Sequence, residues 1–369
     1  MNEDKATRYH RQQRTLAWAG LAVHAAGFAL LLIGGGSVAL RGAIVAVTGA
    51  APASLTTVAL FTTALLLLAE LATFPLVFYR SFVLERRYGL LTAPAPVWLR
   101  DHLKALALTL IVGVSGALAV YAALTLFPAA WWLVSTLVFS AVIMLLVWLA
   151  PAVLLPMFYT FQPLARPELR ARLEALSARA GVPVLGIYEW GLGEKSTRAN
   201  AALVGTGRRR RILLSNTLLS GYSDDEIEVV IAHELGHHAH RDIGLGIAAQ
   251  IAIVIVTFGA AAVALEALWR PLGLVAQNDA AGLPLLLCVA AIVSLACRLP
   301  LNALSRRNEH RADRFALTLT GRPDAFVSAL RRLASQNLAE ARPSTASIWL
   351  FHSHPPFEQR IEAARAFRA

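Results

Sequence analysis

The chain has 369 residues, of which 57% are hydrophobic and 15% charged, and its mean hydropathy is +0.56. That is too apolar for an ordinary soluble domain and points to a membrane protein. The formal charge of +11 would suit a nucleic-acid binder, but the basic residues are distributed as membrane topology requires, so no nucleic-acid partner is expected.

Six apolar segments are long enough to cross a bilayer, at about 20 residues per helix: residues 16–34, 55–79, 105–127, 131–155, 243–268 and 282–304. The first does not read as a signal peptide, because it is long, lacks a clean small-residue cleavage pattern and is followed by further spans. With the N-terminus on the cytoplasmic side and alternating crossings, 32 of the 34 Lys and Arg residues share one face, and only Arg41 and Arg270 lie opposite. This is the positive-inside pattern of a multi-pass protein, expected in the cell (inner) membrane with both termini cytoplasmic. Cys288 and Cys297 both fall in the last span and suggest packing, not a disulfide or a thiolate metal site.

The expected organisation is therefore residues 1–155 with four spans, a cytoplasmic segment 156–242, two spans in 243–304 and a second cytoplasmic segment 305–369. The fold class is an all-α polytopic membrane protein carrying a small α+β zincin-like (gluzincin) domain on the cytoplasmic side. Within segment 156–242, Pro167, the stripe Leu169, Leu173, Leu176 and the closing Gly181 predict an amphipathic helix. Residues 184–190 (VLGIYEW) predict a strand, and NAALVGTGRRRRILLSN predicts a hairpin turning at Gly205 and Gly207. Arg208 to Arg211 read as a solvated edge or a contact with anionic membrane lipids. Ser223, followed by Asp224, Asp225 and Glu226, is a capping-box start for a helix that reaches HELGHHAH ten residues later. The stretch 34–54, rich in Gly and Ala, reads as irregular.

On a helix His233 and His237 are one turn apart, so their ring nitrogens can converge on one ion. His240 is seven residues from His233, about 10.5 Å along the axis, too far to share that ion. His237 and His240 could pair at i, i+3, but only the His233–His237 pair is followed at once by a carboxylate, Glu234, able to take a proton from bound water. This is the HExxH pattern of zinc peptidases, and it predicts one Zn2+ per chain. A metzincin-type third ligand fails, because Ile243 stands where that His would be. Glu309 in RRNEHRADRFA supplies a distal carboxylate, and Asp313, one turn on, can hold the other nitrogen of a ligating His.

HELGH, SRRNEHRADRFA, NAALVG before a basic strand, HSHPPFEQR near the C-terminus and FPLVFYRSFVLERRYGL after the second span together resemble the type I CAAX prenyl proteases, including bacterial quality-control relatives. The resemblance runs from about residue 55 to 369. It implies an integral-membrane zinc metalloendopeptidase with ligands His233, His237 and Glu309 and general base Glu234. It further implies that Asn200 and Ala201 lie on an edge strand that pairs with substrate backbone. His354, before Pro355 and Pro356, would donate to the developing oxyanion, and Arg360 would contact substrate or a carboxylate. The partners implied are a peptide or protein substrate, lipidated or not, and membrane lipids. Those proteases carry seven spans around a large chamber, whereas six are counted here.

Two further polar residues fall within spans. Glu70, where a carboxylate costs about 2.5–3.5 kcal/mol on insertion scales, is expected to line a polar interior. His24 is expected to be a hydrogen-bonded packing residue. From a different class, a non-catalytic metal-binding scaffold or a transporter using Glu70 would share the spans but have no need of Glu234.

Overall fold

The computed structural model describes residues 4–341 and 343–367, apart from the side chain of Arg208. Helix α1 (Lys5–Leu32) starts well before its apolar run, and its first turns dock onto the polar domain. Tyr9 donates to Glu85 and accepts from Arg198 at 2.9 Å, while Arg14 pairs with Glu340 at 2.6 Å. The basic N-terminal stretch is thus a structural strap.

Where the sequence reads as irregular, the chain forms α2 (Gly36–Thr48), bracketed by Gly35 and Gly49 at φ 71° and 67°, a conformation that favours glycine. Thirteen residues reach about 20 Å, short of the roughly 30 Å hydrocarbon core, so α2 is a cap and not a seventh crossing. Its Arg41 is buried against Asp279 at 2.8 Å. Asp279 is fully buried and accepts from the backbone N–H of Val275 and Ala281.

Helix α3 (Leu55–Phe78) passes through a π turn at Tyr79–Val83 into α4 (Leu84–Arg87). Then come α5 (Ala95–Leu126) and α6 (Trp131–Leu149), the latter running through a π turn at Ala150–Leu154 into α7 (Leu155–Phe158). With α11 (Asp242–Leu268) and α12 (Leu283–Thr320), the described residues hold six helices long and apolar enough to cross a membrane. Phe61 and Leu65 of α3, Tyr121 and Leu124 of α5, Trp131 of α6 and Leu265 of α11 form their common core. Glu70 is hydrogen-bonded to His102 at 2.8 Å, with Trp98 stacked on that imidazole, so its carboxylate is satisfied by a neighbouring helix. His24 bonds the Gly20 carbonyl at 2.8 Å. Cys288 and Cys297 are free.

The polar domain begins with β1 (Phe161–Pro163), which the sequence pattern does not mark, and α8 (Pro167–Arg179). There follow β2 (Gly186–Trp190), β3 (Ala201–Val204), β4 (Arg211–Ser215), α9 (Asn216–Gly221) and α10 (Asp224–Ala239). The sheet order is β1-β2-β4-β3, with β2 and β4 parallel and the other pairs antiparallel, which leaves β3 at an edge. Leu169, Leu173 and Leu176 of α8 are fully buried with Ile212 and Leu214 of β4 and Ile227, Ile231 and Leu235 of α10. Helix α13 (Pro323–Gln336) seals this core with Phe326 and Leu330, and α14 (Thr345–Phe351) and α15 (Phe357–Arg365) complete the chain.

Two connections position the site. Only His240 and Arg241 separate α10 from α11, and Arg241 turns the chain at φ 58°. Helix α12 has 38 residues, about 57 Å, and so continues from the membrane deep into the polar domain as one rod.

Removing one partner of a buried ion pair strands the other, at a cost of about 3–5 kcal/mol. Arg41→Ala is therefore expected to lower the thermal unfolding midpoint in detergent clearly, and an Arg41→Ala, Asp279→Ala double variant less than the single one. Equal midpoints for Arg41→Ala and wild type would show that the cap does not depend on this pair.

Candidate active site

Helix α10 opens with the capping box expected from sequence: Ser223 Oγ accepts from the Glu226 N–H, and Glu226 accepts from the Ser223 N–H at 2.8 Å. Ten residues later His233 and His237 project toward α12. Their Nε2 atoms are 3.2 Å apart, and Glu309 of α12 approaches them at 3.4 and 3.3 Å. The ligand atoms of these three residues lie within 4.8 Å of one another.

Each imidazole is fixed from behind by a carboxylate. His233 Nδ1 is 2.8 Å from Asp313, and His237 Nδ1 is 2.9 Å from Asp242. With the Nδ1 protons engaged, the lone pairs of both Nε2 atoms face each other and a carboxylate. Glu309 Oε2 is also buried without a hydrogen bond of acceptable geometry, although His354 Nδ1 lies 2.9 Å away. Two lone pairs and an anionic oxygen at these separations form a donor set that fits a divalent cation.

Asp313 receives two hydrogen bonds from Arg360, Nε to Oδ2 at 2.8 Å and Nη2 to Oδ1 at 2.6 Å. Arg360 is only 8% exposed and its guanidinium bonds a carboxylate, one of the two roles expected for it, while the residue also lines the cleft beside His233 and Glu234. Asp242, which also pairs with Arg311, is the site residue that the sequence reading lacks. On an unbroken helix a residue five beyond His237 points away from it, and only the left-handed turn at Arg241 swings Asp242 back. Among the remaining histidines, His238 bonds the Leu203 carbonyl on β3 at 2.9 Å, and His240 bonds the Gly236 carbonyl at 2.8 Å.

Glu234 is partly buried, and burial raises its carboxyl above the ordinary range while the two adjacent imidazoles oppose that rise. It lines two cavities. The first, of about 380 Å³, is a cleft bounded by Asn200 and Ala201 of the edge strand, His233, Glu309, His354 and the Pro355–Pro356 step. The second, of about 420 Å³, lies toward the membrane between Ile243, Gly246 and Ala249 of α11 and Leu301 and Leu304 of α12. Cleft, His-His-Glu set and carboxylate thus bring together His233, Glu234, His237, Glu309, Asp313, His354, Asn200, Ala201 and Arg360.

Six apolar helices and a buried His-His-Glu set beside a free-standing glutamate define a class, the membrane metallopeptidases. Residues 163–368 match the model of peptidase family M48, and residues 2–160 match the CAAX prenyl protease N-terminal region described as having five membrane helices. The chain belongs to peptidase family M48, and it is a metalloprotease. In residues 2–160 it has four long candidate spans and the short α2. It is 27% identical over 312 residues to an uncharacterized metalloprotease, YhfN, of Bacillus subtilis, covering 82% of this chain and 72% of that one. It is also 27% identical over 318 residues to a probable CAAX prenyl protease 1 of Schizosaccharomyces pombe, covering 84% and 66%. The fold superposes on the crystal structure of S. mikatae Ste24p with a TM-score of 0.88, at 22% identity, over 98% of this chain and 88% of that one.

Gly236 packs against α12 so closely that a Cβ would lie 3.1 Å from Ala312 Cα and 3.3 Å from its carbonyl oxygen. Gly236→Ala is expected to cost about 1–3 kcal/mol by overpacking and to part His233 and His237 from Glu309. Metal titration and thermal unfolding check this; unaltered metal affinity would refute it.

Burial opposes a charge on His233, but its bonds to Asp313 and Glu309 outweigh burial and raise its pKa to about 9 in the metal-free protein. Burial opposes a charge on His237 too, but its bonds to Glu309 and Asp242 raise its pKa as well, so below that pH a metal must displace one to two protons and affinity should rise about ten- to a hundredfold per pH unit from 6.5 toward 9 and then level. Competition titrations with zinc across that range, with proton release recorded, test the slope.

Proposed function

We propose that this protein is a zinc endopeptidase that works at the cytoplasmic face of its membrane and cleaves lipid-anchored, CAAX-type peptide substrates. The observation that carries the reading is the convergence of three ligand atoms on one point, with Glu234 partly buried beside them in an open cleft. His233, His237 and Glu309 would hold one zinc ion, steadied by Asp313 and Asp242. When bound there, zinc supplies Lewis acidity, bringing water to a pKa of about 7 and polarising a carbonyl.

Glu234 takes the proton lost by the attacking water and passes it to the leaving amine. Its raised affinity for protons suits both halves of that task, because the carboxyl must hold the proton between them. His354, backed by Glu309, donates to the oxygen on which negative charge develops. Asn200 and Ala201 offer edge-strand backbone to the substrate. Support for a lipidated substrate comes from the cavity between α11 and α12, whose far wall of Ile243, Ala249, Leu301 and Leu304 is apolar and whose near wall includes Glu234 and His237. Support for the cytoplasmic side comes from the 32 basic residues on that face. The name of the Schizosaccharomyces pombe relative points the same way.

Glu234→Gln is expected to retain one zinc per chain and to lose about 10²–10⁴-fold in peptide hydrolysis. Unchanged function in this variant would favour a metal-bearing scaffold or transporter. Side-by-side digestion of a farnesylated CAAX peptide and an unfolded membrane protein by the zinc-loaded wild type tests the substrate class. Cleavage of the second alone would replace CAAX processing by quality control.

A further inference from the structure

The outer edge of β3 is not open along its length. In its antiparallel pairing with β4, Ala202 is opposite Leu213 and Val204 opposite Arg211, and one step earlier Ser215 N–H donates to the Asn200 carbonyl at 2.9 Å. Hydrogen-bonded positions alternate in such a pair, so residues 200, 202 and 204 bond inward. The backbone groups of Ala199, Ala201 and Leu203 therefore point outward, toward an added strand.

Side chains from other elements occupy both groups of Ala199 and the carbonyl of Leu203, while the Leu203 N–H has no such partner among the described residues. Asn337, just after α13, accepts from the Ala199 N–H at 3.1 Å and donates to the Ala199 carbonyl at 3.1 Å, filling both bonds that a neighbouring strand would make. At the other end His238 donates from Nε2 to the Leu203 carbonyl at 2.9 Å. The tautomer is set because Arg210 Nε–H donates to His238 Nδ1 at 3.1 Å. Between them Ala201 lines the cleft with His233 and Glu234, and neither its N–H nor its carbonyl has a side-chain or loop partner among the described residues.

Resting on the protease reading above, we infer that Asn337 and His238 are positioning residues that block the outward carbonyls of Ala199 and Leu203 and leave a one-residue window, Ala201, as the only outward residue of the three with both backbone groups open to substrate. Residues 199 and 203 are four steps apart, about 13 Å, so a bound segment runs beside β3 for roughly three residues and bends away at both ends. The substrate class this selects is a short extended segment with no strand partner of its own. A hairpin or sheet edge would collide with both closing side chains. Because one residue pair sets the register, it also fixes which peptide bond reaches Glu234.

The test is a backbone N-methyl scan of whichever peptide the zinc-loaded wild type hydrolyses in the digestion described above. Methylation at one position should cut kcat/KM by about tenfold or more, and positions two residues to either side should be much less affected. In Asn337→Ala, with its unfolding midpoint recorded, sensitivity should spread to the position two residues along, and the peptide should acquire secondary cleavage sites. If that variant does not fold, His238→Ala, checked for metal content, should spread sensitivity in the opposite direction. Two or more alternate sensitive positions in the wild type, or no sensitive position, would overturn the window while leaving the protease reading intact. A protein that hydrolyses no peptide would overturn both.

Discussion

Helices α10 and α12 touch backbone to backbone at Gly236 and Ala312, and the geometry of the His233, His237 and Glu309 set depends on that contact. The two imidazoles come from one helix and the third ligand from the other, so the separation of the two axes sets the distance between Nε2 and the Glu309 carboxylate. A glycine lowers helix propensity by about 1 kcal/mol relative to Ala, a cost accepted here for the approach it allows. Sequence alone shows only that a poor helix former stands inside HELGH; the structure supplies the neighbour. Since α12 is also the last membrane helix and α10 leads directly into α11, the His-His-Glu set is held by one helix that is itself a candidate span and one that joins directly onto another.

Around this contact, charge is arranged in alternating layers. Arg360 holds Asp313, which holds His233; Arg311 holds Asp242, which holds His237. Each inner carboxylate is thus fixed from outside by a guanidinium and spends its remaining capacity on an imidazole. Orientation is the result: both rings are locked with Nδ1 outward and Nε2 inward. Burying this many charges is tolerable because each lies beside an opposite or polar partner, and Glu309 Oε2, 2.9 Å from His354 Nδ1, also faces the point where a cation would sit.

How far the site is legible in the sequence follows from the range of the interactions involved. The six apolar helices, the stripe of α8, the capping box of α10 and the spacing of His233, Glu234 and His237 are local patterns, so periodicity exposes them. Glu309 and Asp313 are visible because they too are one helical turn apart. What escapes is whatever depends on a backbone turn or a distant element. Asp242 reaches His237 only through the positive φ at Arg241, and Asn337 reaches β3 across 138 residues. Helix α2 is hidden for another reason: at thirteen residues it is too short to read as a span and too rich in Gly and Ala to read as amphipathic.

The position of the site along α12 connects its chemistry to the bilayer. Glu309 lies five residues beyond Leu304, about 7.5 Å along the helix, and Leu304 lines the cavity that Glu234 also lines. Glu309 therefore sits about a turn and a half past the apolar stretch of its helix, and Glu234 lines the same cavity as that stretch. Two hydrogen bonds at a single residue of β3 would contribute only about 1–3 kcal/mol, too little to hold a peptide from solution at low concentration. A lipid anchor changes that arithmetic, because it confines the segment near the membrane surface at an effective concentration on the order of millimolar. For the proposed lipid-anchored substrate, weak, sequence-tolerant backbone pairing and strong membrane tethering would then be complementary parts of one recognition scheme. The first chooses an extended conformation and a register, and the second supplies the residence time that the first lacks.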